Sequence, residues 1–489
     1  MDRGVLDPAH QTKAVMLGGQ MTQEIYYADA TELAGRIADK ELSSLEVVQA
    51  HVDRVEDINP KLNAIVQHQA EEALTRAKQA DTAIAQGESW GPLHGVPFTI
   101  KDCIDNKGVK TTRGSKIFEN HCPDDDASVV KRLTGAGGIF LGKTNMPEFA
   151  LWWETGNEVY GFTENPWMIG RTSGGSSGGE GSAIASGMSP FGIGSDVGGS
   201  IRWPAHVAGI VGLKATHGRV PLTGHFPETL LRFMHVGPMA RTVRDVANIF
   251  SIIAGPDDED PYALPMPVPS VDHLRRDLPH LRIGFCAEGP FAPVMEEIQL
   301  AVRQSASHLE QMGCEVEEVG LTGWDERQAQ DISMSFFLGE GAYDLDPIIK
   351  GREDELAPSM KRRLDQKRPT ADSYYKSIQD TEWLRQDMKM FFGQYDLLIV
   401  PTSPTTAFPH DQAIININGE KVHGRNSLRI TVPFDLTGSP AISVPMSWSQ
   451  EGLPIGIQIV GRHFDEATVL HVAAALESVA QFGEKHPIP

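Results

Sequence analysis

The stretch "RTSGGSSGGEGSAIASGMSPFGIGSDVGGSIRWPA", Arg171 to Ala205, decides how the chain is read. Glycine and serine crowd it, yet apolar residues recur through it, so it reads as packed backbone rather than a flexible linker. Within it "GGEGSAIASG" reads as a small-residue helix and "PFGIGSD" as a strand. Working outward, "ATELAGRIADK" places Leu33, Ala34, Ile37 and Ala38 at helical spacing. In "SSLEVVQAHVDRVEDI", Ser43 and Glu46 have capping-box spacing, and Leu45, Val48, Val52 and Val55 line one face. "PLHGVPFTIKD", 92–102, is a short strand pattern ending in Lys101 and Asp102. "DASVVKRLTGAGGIFLGKTN" reads as a helix, a glycine stop at Gly135, and a buried strand Ile139–Gly142. Helices and short apolar strands alternate, which is the α/β class. Residues 261–425 are richer in charge and proline and carry long helical patterns such as "DSYYKSIQDTEWLRQDMKMFF". They read as a peripheral layer on one core, with "YDLLIVPTSP" and "PAISVPMSW" returning to buried-strand character.

Composition narrows the function. The 489 residues are 40% apolar and 22% charged, a globular profile. Lys plus Arg is 43 against Asp plus Glu 65, a net charge of −22. Such a chain is poorly suited to neutralising nucleic-acid phosphates and is repelled by anionic membranes. Four scattered cysteines, Cys103, Cys122, Cys286 and Cys314, form no C-x-x-C and suit a reducing, cytoplasmic setting. No metal-ligand spacing occurs among the 17 histidines, so neither a metal nor another cofactor is expected. Residues 1–25 read as a tail without signal-peptide features, and no apolar run is long enough to span a bilayer.

Three readings compete for the glycine–serine stretch. "GIGSDVG", 192–198, loosely matches a dinucleotide turn, but Pro204 would break the helix meant to receive a phosphate, and no G-K-[ST] is present. Gly175-Ser176-Ser177-Gly178-Gly179 satisfies G-x-S-x-G, but no apolar strand leads directly into Ser177. The third reading is acyl transfer, which needs a nucleophile, a base and donors for an oxyanion. Ser200 follows Gly198-Gly199, where consecutive backbone N–H groups can form a nest. Ser176 sits in another glycine-flanked turn, and Lys101 at a strand end would serve as base if burial kept it neutral. Moving a lysine from about 10.4 to about 7 shifts its balance by roughly 4–5 kcal/mol, within the reach of burial.

Together with that stretch, "HGVPFTIKD" (94–102), "GKTNMPEFA" (142–150), "GNEVYGFTENPW" (156–167), "GLKATHGRVP" (212–221), "GPMARTVRDVA" (237–247), "DLLIVPTSP" (396–404) and "PIGIQIVGR" (454–462) resemble the amidase signature hydrolases. The wording "GGSSGGEG" is closest to the fatty-acid-amide-hydrolase branch. The resemblance implies a single α/β domain over 26–489, with a central mixed, twisted sheet covered by helices on both faces. Its core would be 60–260 and 426–480. It implies a catalytic triad of Lys101, Ser176 after a cis peptide, and the nucleophile Ser200. It implies oxyanion donors on the backbone of Val197, Gly198, Gly199 and Ser200, with Ser177, Asp196 and Arg202 in support. Ala150 and Leu151 match acyl-channel positions, and Trp152 and Trp153 follow directly as further candidates for the substrate pocket. The segment "FDLTGSPAIS" departs from the family by placing Asp435 where asparagine is usual.

The function expected is hydrolysis of a small or medium, apolar carboxylic amide through an acyl-enzyme, without cofactor, in a homodimer. Carbamates and esters pass through the same tetrahedral oxyanion and belong to the same expectation. The alternative is the glutaminase subunit of a tRNA-dependent amidotransferase, working with partner subunits. "GGSSGGEG" and the paired tryptophans point away from that alternative. A non-catalytic binding protein has nothing in its favour, since all three triad positions are filled.

Overall fold

In the computed structural model the two opening amphipathic patterns are helices, Ala30–Ala38 and Ser44–Leu62. The second carries the expected capping box, with Ser43 and Glu46 each bonding the other's backbone, and buries Val48, Val52 and Val55. The structure describes residues 25–489 except 269–273, 275–277, 279, 322, 481, 483–484 and 488–489. The expected tail therefore lies, up to residue 24, outside the described residues.

Eleven strands form one mixed sheet. In chain order they are β1 (Ile65–His68), β2 (Pro97–Lys101), β3 (Ile139–Thr144), β4 (Phe191–Asp196), β5 (Val211–Lys214), β6 (His235–Ala240), β7 (Arg282–Phe285), β8 (Glu315–Glu318), β9 (Leu397–Pro401), β10 (Ala441–Trp448) and β11 (Pro454–Gly461). Their order across the sheet is β1-β3-β2-β4-β6-β5-β10-β11-β9-β7-β8. The strands β3, β2 and β4 run parallel, as do β9, β7 and β8, while the middle of the sheet is antiparallel.

Strand β11 shows why the strands inside the sheet are apolar. Every residue of it is buried. A side chain added at Gly456 would meet His206 of the helix Arg202–Ala208, whereas one added at Gly461 would meet Val469 of the helix Glu466–Ala480. These positions have opposite parity along the strand and so project to opposite faces. Helices thus cover both faces, and continuous apolar strands follow.

Two expectations change. The stretch 261–425 is not only a peripheral layer, because β7, β8 and β9 extend the central sheet, with Ile283 and Leu397 to Val400 fully buried. Pro204 does not break a helix either. It lies third in Arg202–Ala208, in the first turn, where its missing N–H has no intrahelical partner to lose.

Candidate active site

Strand register brings the expected residues together. Thr99 and Ile100 of β2 lie beside Gly192 and Ile193 of β4, so the end of β2 runs alongside Ser195. Lys101 is fully buried, with its Nζ 2.6 Å from Ser176 Oγ and 3.0 Å from Ser195 Oγ. The Gly175–Ser176 peptide is cis. Ser176 and Ser177 form the turn before the helix Gly178–Ala185. The Ser177 N–H donates to the Ser200 carbonyl at 3.2 Å, tying the two serine turns to each other. Ser177 Oγ lies 3.3 Å from both the N and the O of Ser195.

Burial lowers Lys101 to about 8. It does the same to two other buried lysines, Lys143 to about 8 and Lys214 to about 7. Burial alone therefore does not single out a base. What distinguishes Lys101 is its surroundings: Lys143 bonds to the Ile104 carbonyl and Lys214 to the Ser439 carbonyl, whereas Lys101, besides a longer 3.4 Å contact to the Ser195 carbonyl, faces two serine hydroxyls.

The glutamate in "GGSSGGEG" has a structural account. Glu180 is fully buried and accepts from the Thr99 and Thr144 hydroxyls, at 2.7 and 2.9 Å. Burial pushes it up to about 8 in spite of those bonds. It joins β2, β3 and the helix behind Ser176. A side chain at Gly192 would come within 2.0 Å of its Oε2, which is why "GIG" accompanies "GGEG".

Asp196 shapes the turn that carries Ser200. Its Oδ1 accepts the Gly199 N–H at 2.5 Å, and its Oδ2 accepts the Ile201 N–H at 3.0 Å. Arg202 clasps both Asp196 oxygens at 3.0 Å. Burial works against the Asp196 charge, but Arg202 and the backbone donors hold the carboxyl well below the usual range. Arg202 also reaches Asp435 at 2.7 Å, Gln458 at 2.6 Å and the Thr431 carbonyl. Removing one partner from such a buried pair costs about 3–5 kcal/mol. Asp435, the departure from family wording, is a second carboxylate for Arg202. Burial raises it well above its ordinary range, and neighbouring Asp196 adds to that. Because Asp196 takes the Gly199 amide, that N–H is held by the turn itself.

Gly199 itself has φ +123°, and a Cβ there would lie 2.1 Å from Thr431 Oγ1. At Gly198 the nearest atom would be Val432 Cγ2 at an ordinary 3.8 Å. Gly199→Ala should therefore lower kcat by about 10²–10³-fold, the scale of a disrupted oxyanion site. Gly198→Ala should be at least about tenfold milder, its added methyl having room. Equal losses in the two purified variants would reject this division of roles.

Ser200 opens onto a cavity of about 420 Å³, of the size that takes a small molecule. Ala150, Leu151, Trp152 and Trp153 all line it, with the two indoles stacked 3.8 Å apart. Met334, Phe337, Leu428 and Val432 extend the apolar wall. Three arginines, Arg362, Arg363 and Arg425, also line it, and among the described residues no aspartate or glutamate does. Arg363 is braced by the Leu151 carbonyl at 2.6 Å and by the Phe337 ring. Sequence reasoning did not single out Ser195, Glu180, Thr431 or the arginines.

A model of the family described as Amidase matches residues 46–470. A glutamyl-tRNA(Gln) amidotransferase subunit from Moorella thermoacetica is 36% identical over 489 aligned residues, covering 95% of this chain and 99% of that protein. The solved structure of 6-aminohexanoate cyclic dimer hydrolase with its substrate superposes with a TM-score of 0.84 at 30% identity, over 94% of this chain and 99% of that one. A bacterial aryl acylamidase of the amidase signature family superposes at 0.86 with 26% identity, over 94% and 98%. Among the described residues no helix is long and apolar enough to cross a membrane.

Proposed function

The chain belongs to the amidase family, as an enzyme acting on amides, and from that premise we propose that it is a free-standing amidase with Ser200 as nucleophile. Its substrate would be an amide with an apolar body and an anionic far end. Ser200 Oγ attacks the carbonyl carbon while its proton passes through Ser176 to neutral Lys101. The backbone N–H groups of Val197, Gly198 and Ser200 receive the oxyanion. The same route returns the proton to the leaving nitrogen, since an amide anion leaves badly. Water, deprotonated by the same base, then releases the acid.

The observation that carries the substrate reading is the lining of the Ser200 cavity. Its walls are mostly aromatic and aliphatic, with Gln330, Ser333, Gln366 and His423 among them, and among the described residues its arginines carry the charge, Arg425 also pairing with Asp331 at 3.7 Å. An arginine's planar fork suits a carboxylate. An α-ammonium group, by contrast, would find no carboxylate on this wall.

A second reading is the glutaminase subunit of a tRNA-dependent amidotransferase. The near-full-length sequence relative favours it directly, and more strongly than it favours a free-standing amidase. In that role the chain would act with partner subunits and a tRNA-bound substrate.

The purified chain decides between them when offered glutamine, a neutral anilide, an anilide with a remote carboxylate, the methyl ester of that anilide, and an aryl carbamate. The carboxy-anilide should exceed its methyl ester in kcat/KM by about tenfold, the value of one charge-assisted contact. Arg425→Gln should erase that preference. Glutamine turnover that appears only with partner subunits, beside no anilide or carbamate turnover, would establish the second reading instead.

A further inference from the structure

His410 takes no part in the chemistry at Ser200, yet two carboxylates hold its ring. Its Nδ1 lies 3.1 Å from Glu154 Oε2, and its Nε2 lies 3.1 Å from Glu164 Oε2. The other Glu154 oxygen accepts the Asp411 N–H at 3.0 Å. Glu164 Oε2 also accepts the Gly170 N–H at 2.6 Å, and the Phe162 ring lies 5.0 Å from the imidazole. An imidazolium has two N–H donors and satisfies both carboxylates. A neutral ring has one, and must turn a lone pair toward the other.

The three anchored segments are the walls of the substrate cavity and their supports. Glu154 directly follows Trp152 and Trp153, and its backbone N is 2.6 Å from where a Cβ on Gly175 would sit, against the turn that presents Ser176. Glu164 belongs to the short hairpin 164–172, whose Thr172 N–H donates to the Phe408 carbonyl at 2.8 Å. His410 leads into the hairpin Ile414–Ile417 and Glu420–His423, closed by the Gly424 N–H on the Ala413 carbonyl. His423, Arg425 and Leu428, which follow, line the cavity with the tryptophans. His423 meets Trp153 edge to face at 5.2 Å.

The charged groups around the ring are few. Glu154 comes from the tryptophan segment, Glu164 from the short hairpin, and Asp411 is the ring's chain neighbour. Arg171, on the same hairpin, is turned to the Ala407 carbonyl and Glu451.

We propose that His410, as an imidazolium, is a positioning residue that locks the tryptophan wall to the 414–425 hairpin, and that substrate binding weakens when it deprotonates. The proposal rests on the reading of the Ser200 cavity as the substrate site. Burial works against the His410 charge, but Glu154 and Glu164 outweigh it and raise its pKa above the ordinary histidine value of 6.5. With the folded value raised, the clamp's stabilisation is complete below the ordinary value and is lost as pH rises through the folded one.

The test compares wild type with His410→Gln and His410→Ala from mildly acid to mildly alkaline pH. It follows thermal melting without substrate, and KM and kcat for the amide turned over fastest. In wild type, KM should rise by about tenfold as the clamp loses one charge-assisted hydrogen bond. The melting temperature should fall over the same pH interval, with kcat unaffected by that step. His410→Gln should show the raised KM already at acid pH, and neither its KM nor its melting temperature should keep the step. Glutamine, which donates to only one carboxylate, should come closer to wild type than alanine does. A variant that keeps the wild-type pH step in KM or in melting overturns the proposal, as does a loss confined to kcat. If no amide is turned over, the proposed function fails, but the melting step still decides whether the clamp exists.

Discussion

Ser200→Ala should abolish turnover, lowering kcat by about 10⁴-fold or more, because the residue forms the only covalent bond the mechanism makes to substrate. The loss is expected without unfolding. The Ser200 side chain faces the cavity, while its carbonyl, which accepts the Ser177 N–H, survives the substitution. Melting temperature should therefore stay near wild type, and a substrate analogue should still bind. An activated ester or a slowly released carbamate should leave an acyl mass on wild type and none on the variant. Residual rate above water would come from the backbone nest alone. Ser177→Ala is the control, since Ser177 is the residue that the rejected G-x-S-x-G reading would make the nucleophile. Its hydroxyl only braces Ser195, so its removal should cost far less than that of Ser200. Hydrolysis by Ser200→Ala at near wild-type rate would reject the assignment.

The sequence displayed some of this site plainly and hid the rest for a physical reason. Lys101, Ser176 and Ser200 stand in segments whose glycines signal special backbone, and local pattern suffices to find such segments. The groups that hold them in place come from far along the chain. Arg202 is bonded to Gln458 and to the Thr431 carbonyl, and Gly198 to Thr431, pairings more than 200 residues apart that no local spacing encodes. The same holds for the sheet. Individual strands were legible from apolar runs, but β5 lying between β6 and β10, or β2 between β3 and β4, follows from tertiary packing. The edge strand β8, "EVEE", is mostly exposed, so its composition carries no buried-strand signal. The commitment of the Gly199 amide to Asp196 is hidden for a related reason. Glycine spacing locates a nest but does not say which N–H a nearby carboxylate has already taken.

Lys101 carries the second large expectation, because it must be buried, neutral and in contact with Ser176 together. With its value lowered to about 8, roughly a tenth of it is neutral at pH 7. In wild type, the Lys101 contribution to kcat/KM should accordingly climb through about 8, set against the loss of affinity expected as His410 deprotonates. Lys101→Met keeps the side-chain volume and removes the base. It should lower kcat/KM by about 10²–10⁴-fold and erase the climb. Stability should move the opposite way. A lysine whose folded value lies below its unfolded one holds fewer protons when folded, so it opposes folding most at acid and neutral pH. That opposition fades as pH rises through the window from about 8 to the ordinary 10.5. Lys101→Met should therefore melt at or above the wild-type temperature at neutral pH, and its advantage should shrink toward alkaline pH. An inactive but stabilised variant is what a group kept for chemistry at the expense of stability would produce. If Lys101→Met instead melted well below wild type, the lysine would be a structural tie between β2 and the Ser176 turn. An unchanged climb of kcat/KM through about 8 would remove it from proton transfer altogether.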